Sequence, residues 1–534
     1  MAKKLLFGNE NAEHDDLLYD CKIHHPSFEP DNHLVITGRW GTGKTAQLLI
    51  LNESLTRELE KTNEDLGLIW YVQEDDLNFP ELFVAFSGSS DNREFRKWLE
   101  KIWIAEILRR TVVILGNLDD YYGNINTPHW KLIRTIFNKQ DISKTLWKQL
   151  PRVIQILTYK EKAEASAEIQ DDISRVFQDE LFKTVQKCLK DIDDKEIKPI
   201  IAIEPLETPN SDLDKQVSLA QEVIYSLVNV FERKFQPSQR QKLKVVLAIP
   251  WHRYKLKGIN LPQKVSQYKY YMHWDADSLK GFINERISYE FKRVGRVKFD
   301  KKNAWYELFD KTISRSEHFE TTIIEDTFDY ALRFTHHRPR DLQKLVRLAV
   351  GLSSNITGRD KDEILKGVAG YKINENHLRK AVHSYRSDAC NLLIEEYERG
   401  NPGFSDKVDK LSGFPACIEY TEFLSKLSHV GLDCRTDILP LWYSGIIGLE
   451  IFCEKNQQKF YAILPDEAKK TDRDINGISI TRGYFFEYNT DLHINELITK
   501  YKNGNNENKI NIVFHPKTFD TIIGQQARRW PIGI

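Results

Sequence analysis

The chain has 534 residues, 41% of them apolar, and a formal net charge of −1. The apolar share excludes a disordered chain, the length suggests roughly three domains, and near-neutrality excludes a global basic field that would draw the protein onto nucleic acid or anionic lipid. Six cysteines, at 21, 188, 390, 417, 434 and 453, form no Cys-x-x-Cys pair and no cluster with zinc spacing, so they read as reduced structural thiols of a cytoplasmic protein.

The opening Met1–Phe7 turns polar too soon for a signal peptide, and no apolar run approaches the roughly 18 residues of a membrane span. Residues 34–37, Leu-Val-Ile-Thr, predict a buried strand running into Gly38, and 46–60 predict a helix. A second strand is predicted at 68–72. Residues 93–190 predict a charged, mostly helical insertion whose stripe of Trp98, Ile102, Trp103 and Ile107 reads as core. Strands return at 199–203 and 244–249, on either side of an amphipathic helix over 211–234. This alternation predicts an α/β core with a parallel sheet over 1–277. Residues 278–385 predict a helical domain. The breakers Arg399–Gly403 predict a linker edge, and 386–534 predict a small α+β domain with strands at 446–452, 459–464 and 510–514 and a hairpin loop over 503–508.

Between the first strand and the first helix, Gly38-Arg39-Trp40-Gly41-Thr42-Gly43-Lys44-Thr45 fits Gly-x-x-x-x-Gly-Lys-Ser/Thr without a mismatch. Glycines let backbone N–H groups turn inward around phosphate oxygens, and the helix beginning near Ala46 points its positive end at the same anion. Lys44 would reach the β- and γ-phosphates, and the Thr45 hydroxyl would ligate magnesium. The segment therefore predicts a P-loop NTPase core that takes ATP and Mg2+.

Such a loop needs a strand ending in a carboxylate. Residues 200–204, Ile-Ile-Ala-Ile-Glu, supply one: Glu204 would hold magnesium directly or through water, and Glu207 would orient the attacking water. The rival, 112–115 leading to Asp119 and Asp120, follows an amphipathic segment without a breaker and reads as a helix end. Asn138-Lys139-Gln140-Asp141 fits a guanine-reading tetrad, but 130–137 alternates like an amphipathic helix and not like the buried strand that tetrad requires. GTPase or nucleotide kinase chemistry ranks last for that reason.

These stretches, in this order, resemble a bacterial P-loop ATPase of the STAND and AAA+ type, near the origin-recognition-like branch. Phe7-Gly8-Asn9-Glu10-Asn11-Ala12-Glu13 resembles the short motif such ATPases carry ahead of the loop, and 200–207 is similar to their acid-ended strand with both aspartates replaced by glutamate. Arg253, after the strand at 244–249, stands where the family places a polar sensor of the γ-phosphate. Met272-His273-Trp274-Asp275 precedes a helix as at the start of the family's helical lid, and His337-Arg338-Pro339-Arg340-Asp341-Leu342 resembles the lid motif with a second sensor arginine. The resemblance implies that Arg253, and Arg338 or Arg340, contact the nucleotide. Pro205 occupies the position of the family's catalytic glutamate, which implies slow hydrolysis.

The resemblance also makes 386–534 a winged-helix-like domain, with 437–448 as its helix and strand. Its helix candidates are mixed or acidic in charge, as at Glu395, Glu396 and Glu398, and only Arg528-Arg529-Trp530 forms a small basic cluster. The expectation is an ATP-dependent regulatory switch with a protein partner or effector or a nucleotide-dependent homo-oligomer, in defence or stress signalling, with no membrane role. The alternative is an ATPase that engages nucleic acid.

Overall fold

In a computed structural model of the chain, the described residues are 6–8, 15, 17–18, 34–39, 41–58, 69–72, 96, 99–100, 103–104, 107, 110–111, 187, 200–205, 217–235, 244–250, 265, 267–316, 322–401, 403–455, 458–461, 472–473, 479–480, 484–485, 494–504, 508–515 and 518. They fold as a mixture of helices and strands with a small parallel sheet. The chain divides into two compact units, one of Ser27–Arg39 and Lys44–Met272, the other of Met1–Pro26, Trp40–Gly43 and His273–Ile534.

The first unit holds β1 (Val35–Gly38), α1 (Lys44–Glu58), β2 (Ile69–Val72), β3 (Ile200–Pro205), α2 (Val217–Val230), β4 (Lys244–Pro250) and β5 (Lys269–Met272). The strand order is β2-β3-β4-β1-β5, and every pairing is parallel. Val35, Ile36 and 245–249 are buried, as the inner strands of a parallel sheet require. Two details depart from the pattern-based expectation. The helix predicted over 211–234 is α2 followed by a π-helical turn, Phe231–Phe235. The fifth strand was not anticipated: Lys-Tyr-Tyr-Met alternates half-buried and buried, the pattern of an edge strand covered on one face. The Thr37 hydroxyl donates to the Tyr270 carbonyl at 3.3 Å, tying β1 to that edge. Within the 93–190 stretch, Trp103 and Ile107 are buried, and Trp103 Nε1 donates to the Val223 carbonyl at 3.1 Å.

The second unit begins with α3 (Ala276–Arg293), α4 (Ala304–Leu308), β6 (Thr312–Ser316), β7 (Thr322–Asp326), α5 (Thr327–Arg333), α6 (Pro339–Thr357), α7 (Lys361–Lys366), α8 (Glu375–Gly400) and α9 (Phe404–Asp409). The antiparallel hairpin β6–β7 interrupts the stretch read as helical, because its β-branched threonines and isoleucines favour an extended backbone. Helix α8 passes unbroken through position 386 and stops at Gly400, and Gly403 (φ 82°) leads into α9.

The rest comprises β8 (Cys417–Glu419), α10 (Tyr420–His429), α11 (Ile438–Ser444), β9 (Ile447–Lys455), β10 (Gln458–Tyr461), β11 (Asp472–Arg473), β12 (Ser479–Ile480), β13 (Tyr484–Phe485), α12 (Ile494–Gly504) and β14 (Asn508–Phe514). Antiparallel pairing gives the order β10-β9-β14-β8, with β13 also on β9. Gly445, at φ 71°, turns α11 into β9. The tract read as a hairpin loop, 503–508, instead joins the end of α12 to β14.

One core runs through this unit from Phe7, Trp274 and Ile283 to Trp305, Leu345 and Val382. The segment Leu6–Gly8 is held by its backbone. Phe7 N donates to Glu290 at 3.1 Å, and the Phe7 carbonyl accepts from Arg286 and from Gln343, each at 3.0 Å. Arg347 donates to the carbonyls of Leu6 (3.2 Å) and Gly8 (2.5 Å). Arg286 also pairs with buried Asp15 at 2.5 Å. No helix among the described residues is long and apolar enough to cross a membrane.

Candidate functional site

β1 ends at Gly38 and α1 begins at Lys44, so the glycine motif forms the whole connection. In open parallel sheets, ligands collect beyond the carboxyl ends of the strands, which is where this connection lies. Gly41 (φ 75°) and Gly43 (φ 95°) take backbone conformations that residues with a Cβ rarely adopt, which is why glycine stands at both. Arg39, Thr42, Lys44 and Gln47 are buried, whereas Gly41, Gly43, Thr45 and Ala46 are half-buried. Lys44 Nζ donates to the carbonyls of Gly38 (3.2 Å) and Arg39 (3.0 Å), so its ammonium folds back over the loop. The first turn of α1 carries no acidic residue. Trp40 lies outside the described residues.

Residues 41–43 have their own contacts within the second unit. Trp274 Nε1 donates to the Thr42 carbonyl at 2.8 Å. The Arg340 guanidinium lies against Gly41 so closely that a Cβ there would come within 2.8 Å of Nε. The backbone angle calls for glycine at 41, and a Cβ there would also push the Arg340 side chain aside.

The two candidate lid arginines face different ways. Arg338 caps the N-terminus of α6 and turns inward, with its guanidinium 4% exposed. It bonds Asp341 at 3.2 Å and Glu396, on α8, at 3.3 Å. Burial opposes its charge, but the two carboxylates outweigh burial and hold its pKa above the ordinary value. Arg340 is half-buried and forms no ion pair with a described residue. The structure brings Arg340, and not Arg338, against the glycine loop.

Glu204 sits in β3 with its backbone paired to Tyr71, and β4 separates that strand from β1. The Glu204 side chain, Glu207, Arg253, Asp119, Asp120 and the tetrad 138–141 lie outside what is described. No group of three or more His, Cys, Asp or Glu able to hold a metal occurs among the described residues.

In the C-terminal region, Ile438, Pro440, Leu441, Trp442, Tyr443 and Ser444 of α11 are all buried. Glu396 belongs to the Arg338 cluster, and Glu398 accepts the backbone N–H groups of Gly403 (2.7 Å) and Ser405 (2.6 Å). The acidic end of α8 is therefore partly structural and not merely a solvated face. His515, directly after β14, is buried, with Nε2 3.1 Å from the Thr335 carbonyl and its ring against that of His336 at 4.2 Å. The basic cluster 528–530 lies outside the described residues.

Sequence reasoning missed the Trp274 donor and the Glu396 partner. The first had a local signal, an aromatic N–H two residues beyond a strand that itself went unnoticed. The second had none, since 58 residues separate the partners. No family model matches the chain, and no curated protein matches it.

Proposed function

We propose that the protein binds ATP with magnesium in the Gly38–Thr45 loop and works as a slow, nucleotide-dependent regulatory ATPase. The observation that carries this reading is the loop itself. Two glycines with positive φ, a buried lysine folded over loop carbonyls and a helix N-terminus free of acids follow a strand of a parallel sheet. Amides turned inward plus a lysine are the chemistry that holds a polyphosphate.

In this reading Gly38, Arg39, Trp40, Gly41, Thr42, Gly43 and Ala46 enclose the phosphates with their backbone. Lys44 leaves its loop carbonyls for the β- and γ-phosphates. Thr45 and Glu204 would hold magnesium, whose part is to neutralise phosphate charge, and phosphate oxygens and water would complete its shell. β4 between β1 and β3 spaces Glu204 about 10 Å from the loop strand, at two strand separations, leaving room for a phosphate and a hydrated cation. Glu207 orients water, and Arg253 and Arg340 stabilise charge developing on the γ-phosphate. The resemblance to STAND and AAA+ ATPases supports this division of roles and supports a winged-helix reading of 386–534. Pro205 in place of a catalytic glutamate supports slow hydrolysis.

A protein partner or nucleotide-dependent self-association fits better than a nucleic-acid substrate. α11, the helix a winged-helix domain would offer to DNA, is buried and carries no lysine or arginine. The test is titration of ATP and magnesium against the full chain and its Lys44→Ala variant. Tight binding lost in the variant is expected, and equal affinity in both defeats the reading. Turnover is expected below about 10 per second. Strong stimulation by DNA that fades with salt would transfer the function to nucleic acid.

A further inference from the structure

Every amide that faces an anion in such a loop forces a carbonyl to face away from it, because C=O and N–H point in opposite directions across a trans peptide. The chain has no cis peptide among its described residues. The carbonyl of Thr42 therefore dictates where the N–H of Gly43 points. That carbonyl belongs to a buried residue and accepts Trp274 Nε1–H at 2.8 Å. Nothing in Gly43 itself would hold the peptide in this orientation, since glycine at φ 95° tolerates rotation that other residues do not.

Trp274 is anchored for the task. It is 4% exposed, and its ring meets Phe282 edge-on at 5.7 Å inside the main core of its unit. Its own carbonyl lies 3.3 Å from Nδ1 of His337. His337 is one of three described non-glycine residues with positive φ, at 51°, a conformation that packing must sustain. A rigid indole thus presents a single N–H to one loop carbonyl.

We propose that Trp274 is a positioning residue for phosphate binding: its indole N–H locks the Thr42–Gly43 peptide so that the Gly43 N–H faces the phosphates. This rests on the reading of the loop as a nucleotide site. Trp274 touches no phosphate; it acts through the peptide it holds.

The test is Trp274→Phe in the full chain, which retains an aromatic ring against Phe282 and removes the donor. Affinities for MgATP, ADP and adenosine are measured by calorimetry, together with the melting midpoint of the nucleotide-free protein. Losing one buried hydrogen bond and freeing the peptide predicts about tenfold weaker binding of both ATP and ADP. Adenosine affinity stays unchanged, because it does not depend on the direction of the Gly43 amide, while the nucleotide-free midpoint falls by a few degrees for the lost buried bond and the smaller ring. Should the phenylalanine variant misfold, β-(3-benzothienyl)alanine at 274 keeps the indole shape and lacks only the N–H. Unaltered ATP affinity overturns the role of Trp274 and leaves the nucleotide site standing. Equal losses for ATP, ADP and adenosine also overturn it, since they mark a structural effect. A wild-type chain that binds no nucleotide overturns both.

Discussion

Arg338 and Arg340 stand two positions apart on one motif, and their surroundings predict opposite phenotypes. Arg338→Met removes the counter-charge of two carboxylates, Asp341 at 3.2 Å and Glu396 at 3.3 Å, in a cluster where the guanidinium is 4% exposed and the glutamate 9%. Breaking a buried pair by deleting one partner costs about 3–5 kcal/mol, chiefly because uncompensated charge stays buried. At roughly 2 °C per kcal/mol for a large unit, the transition that includes α6 and α8 should fall by about 6–10 °C. Adding Glu396→Gln should restore part of that loss, because one of the stranded charges is gone. Arg340→Met removes a half-buried guanidinium that pairs with no described carboxylate, so stability should hold within about 0.5 kcal/mol. On the proposed reading its cost should fall on nucleotide instead: a charge-assisted bond to phosphate is worth about 1.5–3 kcal/mol, or roughly ten- to a hundredfold in ATP affinity. Scanning calorimetry without nucleotide and calorimetric titration with MgATP measure the two axes separately. A midpoint lowered by less than about 1 °C in Arg338→Met, or the two phenotypes exchanged, refutes the reasoning.

Two further changes probe the second unit. In Gly8→Ala, a Cβ would stand 2.1 Å from Arg286 Nη1 and 2.2 Å from Asp15 Oδ1 at φ 82°, displacing a buried ion pair. Urea unfolding should report a loss of at least about 2 kcal/mol, and an unmoved midpoint would show that the segment yields freely. His377, in contact with Ser353 and Tyr371, has its pKa lowered by burial and, to a lesser degree, by Lys380. The unfolded chain then binds the extra proton first, so the stability this residue contributes is present above the ordinary histidine pKa and drains away as pH falls from there through the lowered value. His377→Gln should flatten the decline of the melting midpoint between about pH 6.5 and 5; an identical decline in both proteins counts against the assignment.

The loop and its flanking strand and helix were readable because every requirement is local: glycines at fixed offsets, an apolar strand before and helical periodicity after. β4 was readable for a related reason, since a strand buried on both faces appears as an unbroken apolar run, and β3 because residues 200–203 are apolar without a break. β5 escaped notice because Lys269 and Tyr271 alternate with buried Tyr270 and Met272, and four residues carry too little pattern to distinguish strand from loop. The β6–β7 hairpin was lost inside a stretch whose helices dominate the average. Motif order placed both lid arginines as candidates but could not separate them, because what separates them is non-local. Glu396 reaches Arg338 from another helix, and Gly41 meets Arg340 from a loop almost 300 positions earlier; both separations far exceed the roughly 11–18 residues over which sequence patterns carry a signal.

The grip on Leu6–Gly8 has a consequence for how the chain is made. Arg347, which closes on the Gly8 carbonyl, is 339 positions later. At synthesis rates of about 5–20 residues per second, that carbonyl waits roughly 17–70 s for its donor. The unit that holds Leu6–Gly8 therefore completes only after Ser27–Arg39 and Lys44–Met272 have been synthesised. A bulky tag fused close to Phe7 would delay that closing step, and expression yield would register the delay before any assay of the finished molecule.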